Sequence, residues 1–220
     1  MNRRLYLIIF ILSLFSMFSS CKNSTRTFFR EGVSFDLAEY RYKQIYDVHY
    51  NLDFQIPDEK PVPVKGNLQL HFKPLKARHG VILDFQPGEE YVHQLRVNGD
   101  SSYYYMNNGH IYIDADHLVP RQNNVIEIDF TASDQALNRS EDFMYTLLVP
   151  DKASTVFPCF DQPDLKATFD LTLRIPQQWK ALSNGTVVSD RDENRLRSLT
   201  FSMNKPISTY LFAFTAGNFQ

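Results

Sequence analysis

The sequence is poor in what several classes of protein are built from. Cysteine occurs twice, at Cys21 and Cys159, and tryptophan once, at Trp179. Lysine and arginine never run beyond pairs, and 23 of them stand against 25 acidic residues, a net charge of −2. Phosphate binding needs a clustered basic surface, so nucleic acid is not expected as a partner. None of the six histidines is followed by glutamate and no two stand four apart, which excludes an H-E-x-x-H zinc helix from these residues. Helix-length apolar stripes are also scarce: Phe35, Leu37 and Ala38 do not build one.

One long apolar run does occur, at the start. Arg3 and Arg4 precede Leu5 to Phe18, and Phe18-Ser19-Ser20-Cys21 follows. A run of about 14 residues is short for a membrane span and fits the apolar region of an export signal. Small residues directly before a cysteine resemble the lipobox of bacterial lipoproteins, in which that cysteine is acylated. Residues 1–20 are therefore expected to be a lipoprotein signal peptide, Cys21 the lipidation site, and the protein an exported cell-envelope lipoprotein facing the periplasm. Each buried methylene contributes about 0.8 kcal/mol, so a multiply acylated Cys21 would hold it on a membrane. Cys159 then has no partner, and a domain without a disulfide must rely on its core. Residues 21–40 are expected to be a tether with a short helical approach, and 41–220 one domain.

That domain is rich in alternation. Tyr46, Val48, Tyr50, Leu52, Phe54 and Ile56 are separated by polar residues throughout, the period of a strand with one dry face. Leu68 to Phe72, Ile126 to Phe130, Phe169 to Ile175 and Leu199 to Met203 repeat it, and Val81 to Phe85 is shorter and more apolar. Asn98-Gly99, Asn108-Gly109 and Asn184-Gly185 are tight-turn signals. About ten strands between turns, with a last one over 209–216, predict an all-β fold. An antiparallel β-sandwich or open barrel satisfies the pattern. The polar stretch Ser133 to Asp142 reads as the long surface loop.

The densest motif is Pro158-Cys159-Phe160-Asp161-Gln162-Pro163, followed by Asp164-Leu165-Lys166-Ala167-Thr168-Phe169. The two prolines restrict the backbone and push Phe157 and Gln162 towards extended geometry. Asp161 in such a turn accepts bonds from nearby amides. The physical reading is a fixed corner feeding a strand at Ala167. Cys159, between proline and phenylalanine, reads as a buried structural thiol. Asp164, His49 and His71 read as surface residues, Trp179 as packing, and Tyr103-Tyr104-Tyr105 as an edge strand before a turn.

This run, including Lys166, resembles the P-C-F-D-E-P-x-x-K-A-x-F signature in the N-terminal domain of aminopeptidase N-like zinc peptidases. Ala181-Leu182-Ser183-Asn184-Gly185 and Ser208 to Phe214 resemble later motifs of that domain. The resemblance implies a saddle-shaped β domain beside a thermolysin-like catalytic domain that removes one N-terminal residue from a peptide. It implies zinc held by H-E-x-x-H and a later Glu, with a G-x-M-E-N loop for the substrate amine. Neither motif occurs here. The chain reaches Gln220 where the catalytic domain is expected to begin, so the expectation is a non-catalytic scaffold and substrate-facing wall, inactive alone. Its expected partners are a catalytic domain of the same or a separate polypeptide, peptide substrate, and a membrane through the lipid anchor. No cofactor is expected in this chain, and zinc only in a downstream domain. Two departures stand out. Gln162 replaces the commoner Glu. Leu147 and Val149 fall where many relatives carry a Gln and a Glu that help hold the substrate amine, and neither accepts a hydrogen bond. They remain candidates for an apolar substrate-facing subsite. The alternative is a stand-alone lipid-anchored module that binds peptides or glycans.

Overall fold

The structure, a computed structural model, describes residues 28–76, 79–193 and 195–219. The expected signal peptide and Cys21 lie outside the described residues. The strands follow from the alternation. In β1 (Ile45–Gln55) the buried positions from Val48 onward are every second residue. The same pattern fixes β2 (Lys65–Pro74), β8 (Asn124–Thr131) and β11 (Ala167–Pro176). These four form the centre of an eight-stranded sheet. It is completed by β14 (Leu196–Ile207) and β13 (Thr186–Glu193) beyond β11, and by β4 (Val92–Val97) and β5 (Asp100–Ser101) beyond β8.

Two smaller sheets pack on its apolar face. One has the order β3 (Val81–Asp84), β7 (His110–Ile113), β6 (Tyr104–Asn107). The other has the order β12 (Lys180–Ser183), β15 (Phe214–Gly217), β10 (Phe143–Thr146), β9 (Leu137–Arg139). Aromatic contacts join the layers: Phe85 meets Phe130 edge-on, Phe54 meets Phe214, and Phe169 stacks on Phe212 with ring centres 4.6 Å apart. The fold is all-β and sandwich-like, and among the described residues no sheet closes into a barrel.

The structure differs from the sequence expectation in several places. Strands number fifteen among the described residues, because short edge strands such as β5 and β9 carry too few residues to show a period. The β1–β11 pair is parallel, with His49 to Gln55 opposite Thr168 to Arg174, in an otherwise antiparallel sheet. Alternation reports a buried face but not strand direction. The stretch 133–142 is not simply a loop: it contains β9, and Ala136 and Leu137 are buried. The last strand begins only at Phe214, since Thr209–Leu211 forms a 3-10 turn. The first two Asn-Gly pairs are hairpin turns with both residues at positive φ. At the third only Gly185 is, at φ 88°, where a Cβ would lie 2.3 Å from the Ser202 carbonyl oxygen. There the chain leaves the four-stranded sheet for the eight-stranded one.

Within the expected tether, the described residues from Phe28 onward form a packed layer. Helix α1 (Phe35–Gln44) starts at Ser34, whose hydroxyl accepts the Leu37 N–H at 3.3 Å. Leu37 and Phe28 are buried against Ile82 on the outer face of the three-stranded sheet. Tyr40 stacks on Phe28, and its hydroxyl donates to the Gly80 carbonyl at 2.8 Å. The short helical approach expected before residue 41 is present, but it runs on to Gln44, and its buried face is one leucine and one arginine, Leu37 and Arg41, rather than an apolar stripe.

Candidate functional site

Two regions carry the residues singled out by the sequence. The first is the proline corner. Residues 153–162 are all buried, and Pro163, Asp164 and Lys166 emerge at the surface. Cys159 exchanges two backbone hydrogen bonds with Asp84, at 2.7 and 3.1 Å. The Phe160 N–H donates to the Tyr50 hydroxyl and the Asp161 N–H to Asp84 Oδ2. The Asp161 carboxylate accepts the Ser154 N–H at 3.0 Å and the Thr209 hydroxyl at 3.1 Å, so it caps the corner from within. Burial pushes the Asp161 carboxyl up, and the Ser154 hydrogen bond partly offsets this.

The structure gives Gln162 a role that uses its amide. Its Nε2 donates to the Ala38 carbonyl of α1 at 3.2 Å and to Asp164 Oδ1 at 2.9 Å. A glutamate carboxylate has no proton to give either acceptor. In this chain the amide ties the corner to the helix.

Sequence reasoning missed the ionic centre beneath the corner. Arg41 donates to both Asp84 carboxylate oxygens, at 2.8 and 2.7 Å, and to the Ile82 carbonyl. Its guanidinium lies 5.4 Å from the centre of the Phe160 ring. His110 Nδ1 is 2.7 Å from Asp84 Oδ1, and Nε2 is 2.8 Å from the Arg30 carbonyl and 3.2 Å from that of Gly32. All these partners are acceptors, so an imidazole bonded to both sides carries two protons. Burial lowers the His110 pKa, but the Asp84 hydrogen bond and charge overcome it and hold it above the ordinary value. Burial likewise raises Asp84, but Arg41 and His110 outweigh it and keep the carboxyl below its usual range. The one available signal was an aspartate inside the apolar run Val81 to Phe85. Burial, with Asp161 and Asp84 beside it, pushes the Cys159 thiol well up, which disfavours the nucleophilic thiolate.

The second region is the outer face of the four-stranded sheet. Tyr145 of β10 lies opposite Thr215 of β15, which lies opposite Leu182 of β12. With Ser183 and Asn184 they border a groove of about 370 Å3. Phe143 and Tyr145 are exposed while Met144 and Thr146 are buried, and the alternation continues past the strand. Leu147 and Val149 are 55% and 52% exposed, with buried Leu148 between them. Among the described residues no group of three or more His, Cys, Asp or Glu is placed to hold a metal ion. Nor is any described helix long and apolar enough to cross a membrane.

Residues 46–211 match the Peptidase M1 N-terminal domain. The chain belongs to that family. It is 40% identical over 70 residues to puromycin-sensitive aminopeptidase of Caenorhabditis elegans, covering 31% of this chain and 7% of that protein. It is 40% identical over 68 residues to leucyl aminopeptidase of Saccharolobus solfataricus, covering 31% and 9%. The M1 zinc metallopeptidase of Deinococcus radiodurans superposes with a TM-score of 0.70 at 20% identity, covering 80% of this chain and 42% of that one. Legionella pneumophila aminopeptidase A gives 0.72 at 22% identity, covering 80% and 22%. The matched stretches thus span a tenth or less of these curated relatives and under half of these solved chains. In the related structures the N-terminal domain is joined to a catalytic domain in the same chain.

Proposed function

We propose that this chain is the non-catalytic N-terminal domain of a zinc-dependent aminopeptidase, serving as scaffold and substrate-facing wall for a catalytic domain that removes N-terminal residues from peptides. The observation that carries the reading is the apolar outer face of the four-stranded sheet. Phe143, Tyr145, Leu147, Val149 and Leu182 are exposed along it, although the same sequence elsewhere alternates apolar residues inward. Exposed apolar surface of this kind marks an interaction site. The zinc and its general base would come from the catalytic domain, because the described residues offer no ligand set. This domain contributes shape: Leu147 and Val149 would present apolar contacts to the substrate and no charge to its amine.

We further propose that Cys21 is acylated after signal cleavage and that the domain is held at a periplasm-facing membrane. The support is the positive, apolar and small-residue order of Arg3 to Cys21.

Hydrolysis of an aminoacyl anilide by the purified chain with added zinc tests the first reading. The expected rate is zero, and chelator-sensitive turnover from pure material overturns it. Saturable binding of a peptide or glycan by the chain alone would favour the stand-alone module instead. Mass spectrometry of the membrane-fraction protein tests the second: an acylated Cys21 terminus is expected, and an unmodified one overturns it.

A further inference from the structure

The layer formed by residues 28–44 presents aromatic side chains in two directions. Inward, Phe28, Leu37 and Tyr40 pack on Ile82 and Tyr112 of the three-stranded sheet. Outward, Phe35 is 80% exposed and Tyr42 64%. They stand seven residues apart on α1, so they share one helix face, opposite the buried Leu37 and Arg41. On the same side of the sheet, Tyr105 lies opposite Tyr112 and touches Phe29, with ring centres 5.4 Å apart. Tyr103, two residues earlier, is 93% exposed.

We infer that this outer layer is the surface on which the domain rests on a lipid bilayer. The inference rests on the proposed acylation of Cys21. Cys21 lies seven positions before Phe28, and extended chain spans at most about 3.5 Å per residue, so a lipid at Cys21 keeps this layer within about 25 Å of the acyl region. The buried Phe28 fixes where the tether ends. The Arg30 and Gly32 carbonyls on His110, and Arg41 on Asp84, hold the layer to the body, so the domain cannot turn this face away by unpeeling it. The chemistry also fits: tyrosine and phenylalanine concentrate at membrane–water interfaces, where an apolar ring and a polar edge are both satisfied. A multiply acylated Cys21 supplies the attachment, and a weak contact by this face on the same molecule sets which side of the domain lies against the bilayer.

The charges on the layer set the character of the contact. Exposed Arg30, Glu31, Asp36, Glu39 and Lys43 are mixed in sign, and Lys43 is paired with Glu39 at 2.7 Å. Among the described residues 28–44 no basic cluster draws this face to anionic headgroups, so the contact they make is interfacial and aromatic and resists salt.

Because Trp179 is the only tryptophan and is buried, an introduced indole reports on its own position. The full lipidated chain is placed in vesicles of phosphatidylethanolamine and phosphatidylglycerol doped with brominated phosphatidylcholine. Tyr42→Trp and Tyr103→Trp are compared with Leu182→Trp and Val188→Trp, both at exposed positions on β12 and β13. The indoles at 42 and 103 are expected to lose more than half of the emission they add, at low and high salt alike, and those at 182 and 188 to keep theirs. Flotation with the vesicles but no quenching at 42 and 103 keeps the anchor and overturns the face. No flotation and no acyl mass at Cys21 overturns both. Equal quenching at all four positions overturns the face, as does a lipid-free dimer of the Cys21→Ser chain that shields positions 42 and 103.

Discussion

The proline corner and the outer face of the four-stranded sheet make opposite use of their residues. At the corner, Asp84 and Asp161, both buried, meet partners within hydrogen-bonding distance, and the apolar residues around them fill the core. On the sheet face, Leu147, Val149 and Leu182 stand in solvent without a polar group that handles charge. The motif that identifies the family is therefore a structural joint. The exposed apolar surface lies a few residues upstream, at Leu147 and Val149. Chemical richness marks the part that holds the domain together, and chemical plainness the part turned outward.

The largest expected effect tests the joint. Asp84→Ala leaves the Arg41 guanidinium and the His110 imidazolium buried without their carboxylate, and frees the Asp161 N–H. Breaking a buried pair from one side costs about 3–5 kcal/mol. Denaturant unfolding of the Asp84→Ala chain should show a loss of that size, with 28–44 losing hydrogen-exchange protection first. Leu182→Ser on the plain face should cost within about 0.5 kcal/mol, as surface substitutions do. If the two variants unfold alike, the contrast between the regions is wrong.

Which parts of this were legible beforehand follows from what alternation encodes. In β1, β2, β8 and β11 every second residue is buried over seven or more positions, most of them apolar, and those strands appear where expected. The corner was legible because prolines at 158 and 163 act on local backbone. The parallel β1–β11 pairing depends on residues about 119 apart in sequence, such as His49 and Thr168, and no local period records it. Arg41 was hidden for a related reason. A helix docked by a charge looks polar from its sequence, and only the carboxylate 43 positions away shows why the charge is inside.

A smaller, pH-dependent effect sharpens the same comparison. The folded state holds His110 above the unfolded imidazole value of about 6.5. A raised folded pKa contributes stability that is complete below the unfolded value and is lost as pH rises through the folded one. The groups facing the ring are Asp84, Arg41 and the carbonyls of Arg30 and Gly32. Melting temperature should therefore decline as pH is raised from 6 to 9, and His110→Asn should flatten that decline. A wild-type curve flat across this range would mean that the ring is already neutral in the fold.

The smallest expected effect on stability concerns the plain region. Leu147→Gln with Val149→Glu replaces two exposed apolar side chains by an amide and a carboxylate. Both positions are more than half exposed and neither substitution disturbs buried Leu148, so the unfolding free energy should move by less than about 0.5 kcal/mol. Activity is where the pair should speak. In a chain that includes the catalytic domain, an added carboxylate near the substrate amine would strengthen binding of the charged amine and lower KM. A double variant whose KM is unchanged, at unchanged stability, would mean that this segment does not reach the substrate. The apolar face would then serve only to seat the catalytic domain.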